Sequence, residues 1–310
     1  SSAAAGTWHA KWRGTYSSTK VFMAAPNAPL CRWTPDLVTT STPYHYDPAS
    51  FFTGTAGQAN GSWQCGGKTS GFGYLDAKDA QGRDRYATVT YSSTSDWHPA
   101  DTVIDEQADK GLCLANVAGQ WVGGYIARGD NRCETKVLGK TQRASSFKFI
   151  VLEQNSITQE NKWVTKKDTP LFTSVLVGQD DSQNHLHKNA YLCSATYQSK
   201  TWFGTTFVGQ PPTGGSGSFC KIVYRPSSSS GASYKYVSSY SVYLNNKPSK
   251  EDAVAFGGST FNGNILAPQP NTAMCRKGNV LGMKYTGENT CRYAESTSST
   301  ATLRYLFTRK

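Results

Sequence analysis

Charge is scarce in this chain. Asp, Glu, Lys and Arg make up 17% of its 310 residues, below the roughly one quarter usual in globular proteins. Acidic residues are scarcer still, 21 against 32 Lys and Arg, which leaves a net charge of +11. The excess is spread out. Its densest groups, Lys162 with Lys166 and Lys167, and Arg304 with Arg309 and Lys310, form no stripe that could track a nucleic-acid backbone, so no nucleic-acid partner is expected. No apolar run exceeds about six residues, where a bilayer-spanning helix needs roughly 18. No segment sustains an apolar period of 3.6, which argues against a helical protein. Catalytic signatures are missing as well: there is no G-x-S-x-G elbow, no H-E-x-x-H, no phosphate-cradling loop, and no carboxylate pair announces itself. Five histidines and no C-x-x-C serve zinc poorly. His185-Leu186-His187 could chelate but reads as solvated loop, and Asp180-Asp181 could help bind calcium but has no EF-hand-like spacing around it. No enzyme, cofactor or metal site is expected.

What the chain does have is Gly, Ser, Thr and Tyr, a mixture that suits short β-strands joined by polar turns. It also has a period. Leu30-Cys31, Leu112-Cys113, Leu192-Cys193 and Met274-Cys275 follow one another at steps of 82, 80 and 82 residues, and each is followed by one further cysteine, Cys65, Cys133, Cys220 and Cys291. Eight cysteines allow about 105 pairings. The repeat selects the simplest: Cys31–Cys65, Cys113–Cys133, Cys193–Cys220 and Cys275–Cys291, each worth roughly 3–4 kcal/mol by the loop-entropy model. An even cysteine count without metal-type spacing suits an oxidising compartment, so a secreted, extracellular protein is expected. The chain opens on Ser1 rather than Met, which fits a removed signal peptide and equally a shortened chain.

Between the cysteines of each unit lies a glycine among apolar residues: Phe51-Phe52-Thr53-Gly54, Trp121-Val122-Gly123-Gly124, Trp202-Phe203-Gly204 and Val280-Leu281-Gly282. A glycine inside a strand pattern marks a turn, a bulge or a close backbone approach, and a tight strand pair stapled by the disulfide is expected there. Further strands are expected over Tyr86–Tyr91, closing the first unit, over Phe147–Leu152, over Tyr234–Leu244 with alternate residues on one face, and over Leu303–Phe307. The cysteine separations run long, short, long, short, which points to a two-repeat module that was duplicated. The expected architecture is all-β: two tandem domains of short antiparallel strands, 1–157 (units about 1–95 and 96–157) and 158–310 (units about 158–245 and 246–310).

These residues resemble the DM-nine repeat family. The match is best at Cys275-Arg276, Leu281-Gly282-Met283 and Cys291-Arg292-Tyr293, and next best at Leu112-Cys113-Leu114-Ala115 with Val122-Gly123-Gly124 and Cys133. The resemblance runs over nearly the whole chain as four degenerate copies and implies paired, β-rich, disulfide-stapled repeats with a lectin-like, sugar-binding role. The family's sugar-contact lysine is replaced at the matching positions Thr55, Gly124, Thr205 and Met283, with Lys284 one place away. The acidic residue that the resemblance implies before the first cysteine falls at Asp105 and at Asp180 or Asp181.

Sugar binding needs an aromatic face and a few fixed polar groups. Trp121 and Trp202 stand before the repeat glycine, and each reads either as a stacking platform or as a core residue against the disulfide. The candidate ligand-binding set is therefore Trp121, Trp202, Asp105, Asp180 and Lys284. The expected partner is an extracellular carbohydrate or acidic polysaccharide. Asn60-Gly61-Ser62 is a glycosylation sequon in a surface loop. The alternative is a structural or adhesive protein that self-associates into a filament or matrix, motivated by the missing lysine and by the Tyr, Ser and Gly content.

Overall fold

Runs of β-branched, aromatic and small residues, cut every few positions by turn-forming pairs, leave this chain little choice but antiparallel sheet. The computed structural model describes residues 9–36, 39–40, 50–95, 97–153, 162–166, 171–180, 188–207, 219–246, 253–255, 266–277, 280–294, 296–298 and 303–306, with backbone alone at 162, 166, 178–180, 188, 253–255, 277, 296–298 and 303–306. Among these the fold is all-β, with 26 strands, no α-helix, and antiparallel pairing between all neighbouring strands.

The strands fall into four sheets, one per cysteine pair. The first holds β1 (Trp12–Arg13), β2 (Met23–Ala25), β3 (Ala28–Trp33), β4 (Phe52–Ala59), β5 (Ser62–Cys65) and β6 (Phe72–Leu75) in the order β1-β6-β3-β4-β5, with β2 on β3. The second holds β7 (Tyr86–Thr90), β8 (Ile104–Asp105), β9 (Lys110–Val117), β10 (Gln120–Ile126), β11 (Cys133–Val137), β12 (Lys140–Ala144) and β13 (Phe147–Leu152) in the order β12-β11-β10-β9-β13-β7, with β8 on β9. The third repeats that plan with β14 (Lys162–Lys166), β15 (Leu176–Asp180), β16 (Lys188–Tyr197), β17 (Lys200–Phe207), β18 (Cys220–Tyr224), β19 (Ser233–Val237) and β20 (Tyr240–Leu244). The fourth follows it with β21 (Ala253–Ala255), β22 (Thr272–Lys277), β23 (Val280–Tyr285), β24 (Cys291–Tyr293), β25 (Ser296–Ser298) and β26 (Leu303–Leu306).

Two strand expectations need correction. Tyr86–Thr90 pairs with β13 and opens the second sheet. The first repeat therefore closes at β6, and the repeat boundary falls between Leu75 and Tyr86, not at residue 95. The Tyr234–Leu244 stretch is two strands, β19 and β20, split around residues 238–239 and lying on opposite sides of their sheet. The alternation was real, but a two-residue turn does not interrupt it in sequence. Such turns recur. Asn60-Gly61, Ala118-Gly119, Leu138-Gly139 and Gln198-Ser199 all have positive φ at both positions, the type I′ geometry that matches strand twist. Asn60, the sequon asparagine, is thus exposed at a hairpin tip.

The cysteines pair as the period predicts, with Cα–Cα distances of 6.0, 6.1, 5.9 and 6.0 Å. Their placement in the sheet is less obvious. Each disulfide skips a strand, joining β3 to β5, β9 to β11, β16 to β18 and β22 to β24 across the strand between. Strands two apart in a flat sheet lie about 9.5 Å apart, so the sheet must pinch. It does so at the repeat glycine, which stands opposite the first cysteine in every unit: Cys31↔Gly54, Cys113↔Gly124, Cys193↔Gly204 and Cys275↔Gly282. A Cβ on Gly124 or Gly282 would lie 2.7 or 2.5 Å from the second cysteine's sulfur. The glycine is neither a turn nor a bulge. It is the gap over which the disulfide closes.

The chain divides into two compact units, Ser1–Thr158 and Gln159–Lys310. In the first, one apolar core takes side chains from both sheets: Leu30 and Leu75 from one, Leu112, Leu114, Ile150 and Leu152 from the other. The two repeats therefore fold as one body. Between the sheets Gly123 lies against Gly54, where a Cβ would sit 2.5 Å from the Gly54 carbonyl oxygen, and Thr55 Oγ1 accepts the Gly123 amide at 3.1 Å.

The segment that leads into β8 buries two titratable groups, His98 and Asp101, each 1% exposed. Burial pushes the His98 imidazole down to about 4, with Asp130 opposing. Burial pushes the Asp101 carboxyl up to about 6, and only its own backbone amide opposes. The signs are opposite in the same window. His98 contributes stability that is complete above its unfolded value of 6.5 and is lost as pH falls toward about 4. Asp101 contributes stability that is complete below 3.8 and is lost as pH rises toward about 6. Relative to wild type, Asp101→Asn should gain about 2–3 kcal/mol at pH 7 and progressively less toward pH 4, while His98→Gln should gain as pH falls from 6 to 4. Urea midpoints at pH 4, 5, 6 and 7 test this. Difference curves with no slope would place both groups in water.

Candidate functional site

The aromatic and cationic residues of the first unit converge where its two sheets meet. Trp33, the last residue of β3, stands opposite Phe52, the first of β4. Their rings stack at 5.5 Å between centroids and 21° between planes. In the other repeats the equivalent cross-strand pairs are Ala115–Val122, Ala195–Trp202 and Lys277–Val280. Only the first repeat places two aromatic residues there.

This pair forms one wall of an open cleft of about 370 Å³, whose floor includes Phe51, Thr53, Tyr125 and Thr135. Three lysines reach it from different elements. Lys68 sits in the turn after β5, its backbone amide bonded to Cys65 O at 2.9 Å, so the disulfide helps to fix its position. Its Nζ lies 4.6 Å over the Trp33 ring. Lys136 of β11 lies 4.8 Å over Phe52, and Lys110 of β9 lies 5.9 Å from Tyr125. Glu134 also lines the cleft, but it is paired with Arg143 at 3.0 Å. Among the described residues no carboxylate lies within ion-pair distance of the three lysines. Thr53 is 1% exposed, and its hydroxyl has no hydrogen-bond partner among the described residues.

Beneath the cleft lies a buried ion pair between the repeats. Arg32 Nη1 of β3 donates to both oxygens of Asp105 at 3.0 and 3.1 Å. The Gln107 amide donates to Oδ1 at 3.1 Å, and the Tyr125 hydroxyl donates to Oδ2. Burial first, then the Asp105 charge, pushes the Tyr125 hydroxyl well above its ordinary value, so it stays a donor. Arg32 in turn lies 4.6 Å over Trp12. The second unit has a clasp of its own: Arg225, 0% exposed, grips both Glu288 oxygens at 2.5 Å and also donates to the Ser228 and Ser230 carbonyls. Arg276, which follows Cys275 as Arg32 follows Cys31, donates to Val177 O at 2.8 Å.

Most of the sequence-predicted ligand set lies elsewhere. Trp202 is 1% exposed and donates its indole N–H to Tyr197 O at 2.8 Å, so it is a core residue. Trp121 is half-buried against the shared core, with Lys148 at 4.3 Å over its ring. The two tryptophans are not equivalent. Trp121 stands opposite Asn116 and Trp202 opposite Ala195, three and two residues after the first cysteine, which puts them on opposite faces. The same register moves the repeat glycine of the second unit from Gly123 to Gly124, so the position matching Thr55, Thr205 and Met283 is Tyr125. Asp105 is spent on Arg32 and Tyr125. Lys284 is fully buried, and burial pushes its ammonium down to about 8. Asp180 ends β15 opposite Lys188, its side chain outside the described residues, as are Asp181, His185 and His187. Trp33, Phe52, Thr53, Lys68 and Lys136 were not singled out in sequence, and only the Phe51-Phe52-Thr53 run before Gly54 hinted at them.

No family model matches the chain, and no curated protein does. Among solved structures, the nematode sperm cell motility protein MFP2B is similar to this chain at 11% identity, covering 96% of this chain and 97% of that one, with a TM-score of 0.30.

Proposed function

We propose that this is a secreted, non-enzymatic glycan-binding protein, lectin-like in the manner of the DM-nine repeats it resembles, with the cleft of its first unit as the combining site. The observation that carries this reading is the stacked Trp33–Phe52 pair in a cleft lined by Lys68, Lys110 and Lys136. Together they offer what a pyranose site needs: an aromatic wall, once the lysines over it move aside, and polar groups beside it. Four disulfides suit an extracellular setting, and among the described residues no helix is long and apolar enough to cross a membrane. The self-assembling alternative is weaker at two sheet edges. The outer strands β12 and β19 carry Lys140 with Arg143 and Lys235, charges that oppose edge-to-edge pairing.

A glycan array that includes mannans and sulfated polysaccharides tests the reading. The expected result is a defined set of ligands whose signal falls at least about tenfold on Trp33→Ala, a loss equal to about 1.4 kcal/mol, and holds on Trp121→Ala. An array blank for the wild-type protein would sink it, as would a signal indifferent to Trp33.

A further inference from the structure

The cleft's aromatic faces are already occupied. Lys68 lies over Trp33 and Lys136 over Phe52, so a sugar ring cannot stack on either without moving an ammonium group. For a neutral sugar that displacement is a plain loss, because the cation–π contact is given up for nothing. For an anionic sugar it is an exchange: the ammonium leaves the ring face and pairs with the incoming carboxylate or sulfate, while the ring takes its place. Charge bookkeeping agrees. Among the described residues the cleft presents Lys68, Lys110 and Lys136 and one acidic lining residue, Glu134, which is held by Arg143. With no carboxylate within ion-pair distance of those lysines among the described residues, an anion meets three cations that need not be parted from a carboxylate.

We infer that the cleft takes an anionic pyranoside, a uronate or a sulfated sugar, and that Lys68 and Lys136 select it by moving from the faces of Trp33 and Phe52 onto its charged group. This rests on the glycan-binding reading above and adds its ligand class.

Titration calorimetry on the full chain tests it with a galacturonate tetrasaccharide and the same tetrasaccharide with every carboxylate methyl-esterified, which removes charge and leaves the rings unchanged. A second arm compares sulfated and unsulfated dextran oligosaccharides and separates sulfate from carboxylate recognition. In at least one arm the charged form should bind at least about tenfold tighter than its neutral counterpart, and the gap should close as salt rises. Lys68→Ala/Lys136→Ala should abolish the preference. Lys11→Ala/Lys20→Ala, which removes the same charge from exposed positions of the first unit outside the cleft lining, should leave it intact. Charged and neutral forms bound equally well, with both losing affinity on Trp33→Ala, would overturn the inference and leave the glycan reading standing. Equal weakening by the two double variants would reduce the preference to net charge and overturn it too. No binding of any probe, together with a blank array, would overturn both.

Discussion

The Gly204→Ala substitution should leave the chain unable to close its third disulfide. A Cβ at that position would lie 2.0 Å from Lys221 O and 2.5 Å from Ile222 Cα. Both are backbone atoms of β18, the strand that carries Cys220, so no side chain can turn aside to make room. The only relief is to move β18 away from β17. That movement widens the pinch that brings Cys193 within 5.9 Å of Cys220 across the strand between them. Gly204 has no left-handed backbone, so the effect is steric overpacking alone, at about 3 kcal/mol or more. The Cys193–Cys220 bridge, another roughly 3 kcal/mol or more for its loop by the entropy model, is jeopardised with it. Thiol titration of the denatured protein should find two reactive cysteines where wild type has none, and the soluble yield should collapse. Gly57→Ala is the control. Gly57 is an exposed strand glycine with no atom within 4 Å of its added Cβ, and its substitution should change neither readout. A fully oxidised, normally stable Gly204→Ala protein would mean that the glycine is not what lets the disulfide span the strand.

That pinch shows which parts of the fold were legible in sequence. The cysteine period is a linear signal, because each disulfide closes inside one repeat and the repeat is contiguous. All four pairings could be read from it, as could the all-β class from composition and the absence of helical period. Register was harder. A double glycine, Gly123-Gly124, hid which residue faces Cys113, and a slip of one residue exchanges the two faces of a strand. For that reason Trp121 and Trp202 looked alike in sequence yet lie on opposite faces. The cleft was not legible at all. Its wall comes from the first repeat and Lys110 and Lys136 from the second, so it is written in the way two repeats pack, not in either repeat alone. It also depends on a departure from the repeat, the aromatic pair Trp33–Phe52, while a search for periodicity rewards what the copies share. The resemblance pointed to an acidic residue at Asp105, and Asp105 does lie close to the cleft, but one layer below it, where its charge is used for holding the repeats together.

The second large effect is expected at that residue. Asp105→Ala should destabilise the protein by about 3–5 kcal/mol, the range for removing one partner of a buried pair. The carboxylate is 1% exposed and is fully engaged by Arg32, the Gln107 amide and the Tyr125 hydroxyl. Removing it strands the guanidinium between Trp12 and Phe51 and leaves a buried phenol without its acceptor, at about 1–3 kcal/mol for the phenol alone. Most of the loss is therefore the cost of what remains, not the worth of the pair. Arg32→Leu in the Asp105→Ala background should recover a large part of it, and adding Tyr125→Phe should recover more, giving strong non-additivity in urea unfolding at pH 7. A single-variant loss under about 1 kcal/mol, the size of an exposed pair, would place Asp105 in water and refute the clasp. The triple variant also separates stability from binding. Tyr125 is both a donor to Asp105 and part of the cleft floor beside Lys110. If the clasp serves only to hold the repeats, a refolded triple variant should keep the preference for anionic sugar set by Lys68 and Lys136. If the hydroxyl's anchorage also orients the floor, overall affinity should fall while that preference survives, because the two selecting lysines lie over Trp33 and Phe52 and not over Tyr125.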